Sequence, residues 1–230
     1  MNHVPEEPAI PRIGNQTAVL TQRVINGHEY QLYRVPDLDR LVDEIDPETW
    51  KHDEKMPYWA ELWPSGIELA AFVAGKLGEL RNMRVLELGC GLALPSIVAA
   101  RLGARVTATD YFSEALDLLT INAALNGVSL ATREVDWRNP PDIGRYDIVL
   151  AADVLYERWQ TPALVDMLAR TLLPSGHALV IDPDRITARE FASAAIFRGF
   201  LVATSHTRSE AGATIFNTYR LTWRAPIGTR

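Results

Sequence analysis

From Ser65 to Trp223 the chain alternates short β-rich runs with helical stretches, and that rhythm leaves few folds open. Strand character falls at MRVLEL (83–88), RVTATD (105–110), LATREV (130–135), YDIVLAAD (146–153), HALVID (177–182), FLVATSH (200–206) and ATIFNTYRLTW (213–223). Helical stretches fall near 94–102, 113–125, 161–173 and 187–198. Strands separated by helices make a doubly wound parallel sheet the expected architecture. Only SEAGA joins the last two strands, whereas a parallel crossover takes about a dozen residues or more, so these two are expected to run antiparallel. Ser65 with Glu68 and Thr187 with Glu190 have the spacing of capping boxes. Pro174-Ser175-Gly176 and Asn126-Gly127 are expected to end helices.

Upstream of this repeat the character changes. Residues 1–16 carry proline and glycine and little hydrophobicity, so a flexible tail is expected there. TAVLTQRVINGHEYQLYRV places two β-rich runs around Asn26-Gly27, a pair that accepts positive φ and predicts a two-residue type I′ hairpin. DLDRLVDEI reads as a short amphipathic helix, and HDEKMPYWAELWPSG as an irregular, aromatic-rich loop. Tyr58 and Trp59 in that loop fit plain core packing as well as a site wall.

At 230 residues and 47% hydrophobic, the chain can bury one sizeable core. A formal net charge of -6 gives no overall field for gathering nucleic acid, so none is expected as a partner. Cys90 is the single cysteine, which excludes an internal disulfide and any multi-cysteine metal site and fits a reducing cytoplasm. The N-terminus has no basic and apolar leader pattern, and no run reaches the roughly 18 apolar residues of a membrane span, so no membrane partner is expected. The histidines show no ligand spacing, and no metal is expected.

The first strand of the repeat leads into Glu87-Leu-Gly89-Cys-Gly91-Leu-Ala93. In an open α/β sheet the ligand sits beyond the carboxyl ends of the strands, where small residues let backbone approach it. A dinucleotide fingerprint would set its third small residue at Leu94, which is too bulky for close helix-to-strand packing. A pyrophosphate also wants free N–H groups and no acid nearby, whereas Pro95 removes a donor and Glu87 adds negative charge. The loop therefore suits a cationic ligand better than NAD. Asp110 closes the second strand, where a carboxylate can accept from ribose hydroxyls or cap the next helix. Asp136-Trp137 follows the third strand, where an acid can accept from an exocyclic amine and an indole can cover a ring or pack into the core. The fourth strand ends in Asp153, followed by Tyr156, which read either as an acceptor site or as a helix cap with a packed aromatic.

The pattern E-x-G-x-G-x-A resembles the first motif of class I S-adenosylmethionine-dependent methyltransferases, with alanine for its last glycine. WPSG, E-L-G-C-G, the acid-tryptophan pair and A-D-V-L-Y together resemble the family-16 group of protein lysine methyltransferases over most of residues 57–222. PYWAELWPSG and IDPDR are similar to the branch that methylates the electron-transfer flavoprotein β subunit, with Ser65-Gly66 for that branch's glycine pair and Asp184 for its usual glycine. The resemblance implies an α/β, Rossmann-like, doubly wound seven-stranded sheet with an antiparallel last strand, to which the residues upstream add an N-terminal β-hairpin extension. It does not cover the tail and the hairpin; with those read from the residues, the expected organisation is a tail at 1–16, a hairpin and aromatic-loop extension at 17–62, and an S-adenosylmethionine-binding methyltransferase domain at 63–230. The resemblance places Trp63, Gly89, Gly91, Asp110, Trp137 and Ala152 at the cofactor, beside Glu87 and Asp136, and Asp153 with Tyr156 at the acceptor. The implied reaction is methylation of a lysine on a protein partner in the cytoplasm. A small-molecule N- or O-methyltransferase and a non-catalytic cofactor-binding module remain open. Asn139-Pro-Pro141-Asp142 resembles an amide and nucleobase methyltransferase signature but precedes the fourth strand instead of following it, so it reads as a rigid loop.

Overall fold

The computed structural model describes residues 10–44, 56–208 and 214–224. Two short strands, β1 (Arg12–Ile13) and β2 (Gln16–Thr17), pair antiparallel ahead of the hairpin β3 (Val19–Ile25) and β4 (His28–Arg34). Helix α1 (Leu38–Asp43) follows, then a 3-10 turn at Tyr58–Ala60 and helix α2 (Pro64–Lys76). The repeat runs β5 (Arg84–Leu88), α3 (Leu94–Arg101), β6 (Arg105–Asp110), α4 (Ser113–Leu125), β7 (Ala131–Glu134) and β8 (Tyr146–Ala152). It ends with α5 (Gln160–Thr171), β9 (Leu172–Asp182), α6 (Phe191–Arg198), β10 (Phe200–Arg208) and β11 (Ile215–Trp223).

The main sheet has seven strands in the order β10-β11-β9-β8-β5-β6-β7. β5, β6, β7, β8 and β9 are parallel, and β11 runs antiparallel to both of its neighbours. The chain winds from β5 outward through β6 and β7, then returns to β8 on the other side of β5. The switch point, where open α/β sheets form their crevice, therefore lies beyond the carboxyl ends of β5 and β8.

Alternation along the strands sends side chains to two cores. Val85, Ile148, Leu150, Leu179 and Ile181 pack with Leu69 and Val73 of α2, Ile97 and Val98 of α3, and Ile25 and Leu32 of the hairpin. Leu86, Leu88, Val149, Ala151 and Val180 pack with Leu164 and Leu168 of α5 and Phe191 and Ala195 of α6. Both faces are covered, which is why these strands are nearly all apolar rather than alternating in polarity. Among the described residues no helix is long and apolar enough to cross a membrane.

The hairpin turns at Asn26 (φ 48°) and Gly27 (φ 79°), the two positive angles of a type I′ turn. Two asparagines one helical turn apart on α4 dock it. Asn122 Oδ1 accepts from Tyr33 N at 2.7 Å and its Nδ2 donates to Tyr33 O at 3.1 Å. Asn126 repeats the pair on Gln31, at 3.0 and 2.6 Å. The two amides thus satisfy backbone groups on the open edge of β4, as a neighbouring strand would.

Four expectations need correction. Of the expected tail, residues 1–9 lie outside the described residues, but residues 10–16 fold. Ile13 is buried and Gln16 Nε2 donates to Asp37 O at 2.8 Å. Ser65 caps nothing, because α2 starts at Pro64, whose fixed φ suits a first helical position, and Trp63 O accepts from Gly66 N and Ile67 N at 3.0 and 3.3 Å. Thr187 caps nothing either. Its hydroxyl donates to Leu155 O within a 3-10 turn (Ile186–Ala188), and α6 begins only at Phe191. Pro174-Ser175-Gly176 does not end a helix but lies within β9, where a register shift against β8 between Tyr146 and Ile148 absorbs the extra residues. The SEAGA loop lies outside the described residues.

Candidate functional site

Beyond the carboxyl ends of β5, β6, β7 and β8 lies one cavity of about 480 Å³, within the range of small-molecule sites. Trp63, Glu87, Gly89, Gly91, Asp110, Asp136, Trp137, Ala152, Asp153 and Tyr156 all line it. No sequence-predicted site residue falls elsewhere.

The β5–α3 loop forms its floor. Gly89 (φ 68°), Gly91 (φ 49°) and Ala93 (φ 56°) are left-handed, a conformation that glycine adopts freely. A Cβ on Gly89 would stand 2.7 Å from Val154 Cγ1, and one on Gly91 would stand 3.2 Å from Trp59 O. Ala93 occupies the same backbone region with a side chain, at a cost of about 1–2 kcal/mol. Two buried carboxylates hold this loop. Glu87 Oε2 accepts from Ser96 N at 3.0 Å, in the first turn of α3, where the helix dipole favours an anion. Asp110 Oδ2 accepts from Gly91 N at 2.9 Å, and Oδ1 from Phe112 N at 3.1 Å. Asp110 therefore does not cap α4, which begins after Phe112 without a side-chain cap; it anchors the glycine loop from the adjacent strand. Burial pushes the Glu87 carboxyl up from 4.5 to about 8 and raises that of Asp110.

Beyond β7, Asp136 is gripped by Arg138, whose Nε and Nη2 both reach it at 2.9 Å. The same guanidinium lies over the Tyr111 ring, 5.2 Å from its centroid, and donates to the Tyr111 hydroxyl at 2.7 Å. Trp137 is half-buried and would lie 3.7 Å from a Cβ at Gly89, so its indole borders the floor. Six acids, Glu61, Glu87, Asp110, Asp136, Asp153 and Glu157, line the cavity against one base, Arg138, which is already paired. Such an acceptor-rich lining suits a cation with hydroxyls and a flat ring, and is ill suited to a pyrophosphate.

The β8 tip is built differently. Asp153 is buried, left-handed at φ 61°, and accepts from Arg185 Nη1. Arg185 in turn is fixed by Asp182, whose Oδ1 accepts from Arg185 N at 2.7 Å and whose Oδ2 lies 3.5 Å from its guanidinium. The capping alternative for Asp153 is excluded, since α5 starts at Gln160 with Trp159 before it. Tyr156 is partly exposed at the rim and packs edge-on against Tyr58 (5.4 Å), which also meets Trp63 edge-on (5.8 Å). Trp63 Nε1 donates to Tyr58 O at 2.7 Å. Burial pushes the Tyr156 phenol up to about 12, so it is neutral at physiological pH.

Sequence reasoning gave no role to Arg138 or Arg185 and left Tyr58 between core packing and a site wall. Arg185 closes the motif IDPDR, but nothing local in the sequence ties it to an aspartate 32 residues earlier. Asp184, where the resembling branch has glycine, is left-handed at φ 59°, and Asn217 Nδ2 donates to its Oδ1 at 2.8 Å.

Sheet order and cavity together define a Rossmann-like α/β protein of the methyltransferase fold. Solved structures agree on the fold. A 16S rRNA methyltransferase of T. thermophilus, in complex with AdoMet and guanosine, superposes with a TM-score of 0.65 at 16% identity, covering 90% of this chain and 51% of that one. The magnesium protoporphyrin IX methyltransferase of Synechocystis PCC 6803, with bound SAH, superposes at 0.54 and 17% identity, covering 68% and 83%. The sequence matches the lysine methyltransferase family over residues 49–191, and the chain belongs to that family. It is 36% identical to the protein N-lysine methyltransferase METTL21A of Danio rerio, over 55% of this chain and 61% of that protein. It is 30% identical to the electron transfer flavoprotein beta subunit lysine methyltransferase of Xenopus laevis, over 66% and 61%. The matches thus span about six tenths of these relatives' length.

Proposed function

We propose that the protein is an S-adenosylmethionine-dependent N-methyltransferase that modifies a lysine side chain of a protein partner in the cytoplasm. The observation that carries this reading is the convergence of an acid-rich, aromatic-walled cavity on the switch point of the sheet, with one paired base among its lining residues. Family membership and the names of the relatives support the lysine acceptor.

When bound, S-adenosylmethionine supplies an electrophilic methyl carbon on a sulfonium. In this reading Asp110, already bonded to the glycine loop, offers its remaining lone pairs to ribose hydroxyls. Asp136 accepts from the adenine amine while Arg138 keeps its carboxylate in place, and Trp137 covers the ring. Glu87, Gly89 and Gly91 shape the floor beneath the methionine portion, and Trp63 and Ala152 close its sides. At the other end Asp153 accepts an N–H bond from the acceptor amine, and Tyr58 and Tyr156 wall the approach. The attacking nitrogen must be unprotonated, since an ammonium has no lone pair, and a lysine ordinarily holds its proton up to a pH of about 10.4. The partly apolar rim opposes the ammonium, and Asp153 positions the neutral amine.

Incubation of the protein with methyl-labelled S-adenosylmethionine and a cell lysate tests the reading. Label in discrete protein bands, mapped to lysine by hydrolysis, is the expected result. Label only in small molecules would reassign the acceptor, and cofactor binding without any transfer would leave a binding module.

A further inference from the structure

Behind Asp153 stands an arginine that lies outside the cavity lining. Arg185 sits between the buried carboxylates of Asp153 and Asp182, at the ends of β8 and β9. Asp182 holds both the Arg185 backbone N–H and, with Asp153, its guanidinium, so the side chain is tied at both ends. The turn that follows is tied to the β8–α5 loop as well, because the Thr187 hydroxyl donates to Leu155 O and Thr161 Oγ1 donates to Thr187 O at 3.4 Å. Asp153 itself is left-handed, and its N–H donates to Ile181 O at 3.0 Å, which fixes the backbone from which the carboxylate projects. Main chain on both sides therefore holds the ion pair.

We propose that Arg185 is a positioning residue that offsets the charge of Asp153, so that Asp153 accepts a hydrogen bond from the acceptor nitrogen without holding it as an ammonium. The inference deepens the methyltransferase reading and rests on it. A bare carboxylate at the place of transfer stabilises the protonated, unreactive form of an amine, and a counter-cation on its far side reduces that preference while leaving the near lone pairs to accept. Other charged or titratable groups around this end are Asp182 and Asp184 at the end of β9, Tyr219 of β11, Tyr156 and Glu157 of the β8–α5 loop and Tyr58 of the aromatic segment. None of these is a base, and Arg185 is the cation paired with the two buried aspartates.

The test needs no knowledge of the protein acceptor. Sinefungin, an analogue of the cofactor, carries a primary ammonium where the reactive methyl projects, whereas S-adenosylhomocysteine carries nothing there. The ratio of their dissociation constants at pH 7.5 reads the charge at the transfer position. Arg185→Gln is expected to tighten sinefungin relative to S-adenosylhomocysteine by at least about tenfold, as an uncompensated carboxylate attracts the ammonium. Arg185→Lys, which keeps the charge, should return the ratio to within a few-fold of the wild type. Asp153→Asn, which leaves the arginine unpaired on this side, should move it the opposite way by a similar factor. If Arg185→Gln fails to fold, judged by thermal midpoint, the opposite shifts of Asp153→Asn and the restored ratio of Arg185→Lys still decide. An unchanged ratio in folded Arg185→Gln, or in Asp153→Asn, would reduce Arg185 to a structural brace and overturn the proposal. Failure of the wild type to bind S-adenosylhomocysteine at all would instead remove the methyltransferase reading beneath it.

Discussion

The two ends of the cavity hold their carboxylates by different means. At the glycine-loop end Glu87 and Asp110 are fixed by main-chain N–H groups of Ser96, Gly91 and Phe112. At the β8 tip Asp153 is fixed by the guanidinium of Arg185. Backbone N–H groups orient a carboxyl group without supplying a counter-cation, so the first end, once ionised, has its charge free for a bound cation. A guanidinium orients and neutralises together, so the second end suits a group that must give up its charge. One end is built to hold a cation and the other to receive an amine.

Separating the two ends by mutation gives the largest expected effect. Asp153→Asn should lower methyl transfer by about a hundredfold, the low end for a positioned catalytic group, with cofactor affinity kept within a few-fold. Folding should survive, because asparagine tolerates the left-handed φ of 61° at this position. Full turnover in the folded variant would remove Asp153 from the acceptor end. Asp110→Ala should do the reverse, weakening cofactor binding by about 1.5–3 kcal/mol, the range for bonds to a charged group. Loss of the Gly91 anchor adds to that effect, so a thermal midpoint should be read beside the affinity.

The seam between the ends offers a smaller effect. Gly89→Ala would drive a Cβ to 2.7 Å from Val154 Cγ1 at a left-handed position, at a cost of about 1–3 kcal/mol of stability. Adding Val154→Ala should relieve the clash but not the backbone strain, and so recover only part of the loss. Full recovery would show that φ at Gly89 carries no cost.

A change in pH sharpens the contrast with the least perturbation. Because burial lifts Glu87 to about 8, the folded free protein holds a proton that the unfolded chain releases above about 4.5. This group therefore favours folding most fully below pH 4.5, and its contribution falls away as pH rises to about 8. A bound cation favours the carboxylate, so cofactor binding near pH 7 should release a proton and strengthen as pH rises toward 8. Calorimetry in buffers of unequal ionisation enthalpy measures the proton, and Glu87→Gln should abolish its release.

The contrast between the ends also explains what the sequence could disclose. The glycine-loop end was legible because its parts lie within one strand-loop-helix unit and at the end of the adjacent strand, where the switch-point rule says to look. The sheet was legible because its buried strands are continuous apolar runs bounded by breakers. Arg185 was not legible, since its partner is set by the adjacency of β8 and β9 and not by spacing. The capping boxes at Ser65 and Thr187 misled for a related reason. Pro64 fixed one helix start, and a tertiary bond to Leu155 took the hydroxyl from the other. Asn122 and Asn126 carried no signal of docking, because amides that imitate a strand edge look like ordinary polar helix residues.

The central claim is that this cavity is the site of a cationic cofactor and not of a pyrophosphate. Titration of the purified protein with S-adenosylmethionine, and separately with NAD, tests it most directly. Saturable one-site binding of S-adenosylmethionine, weakened in Asp110→Ala and unaffected by excess NAD, is the predicted result. Binding of NAD without binding of S-adenosylmethionine would contradict it.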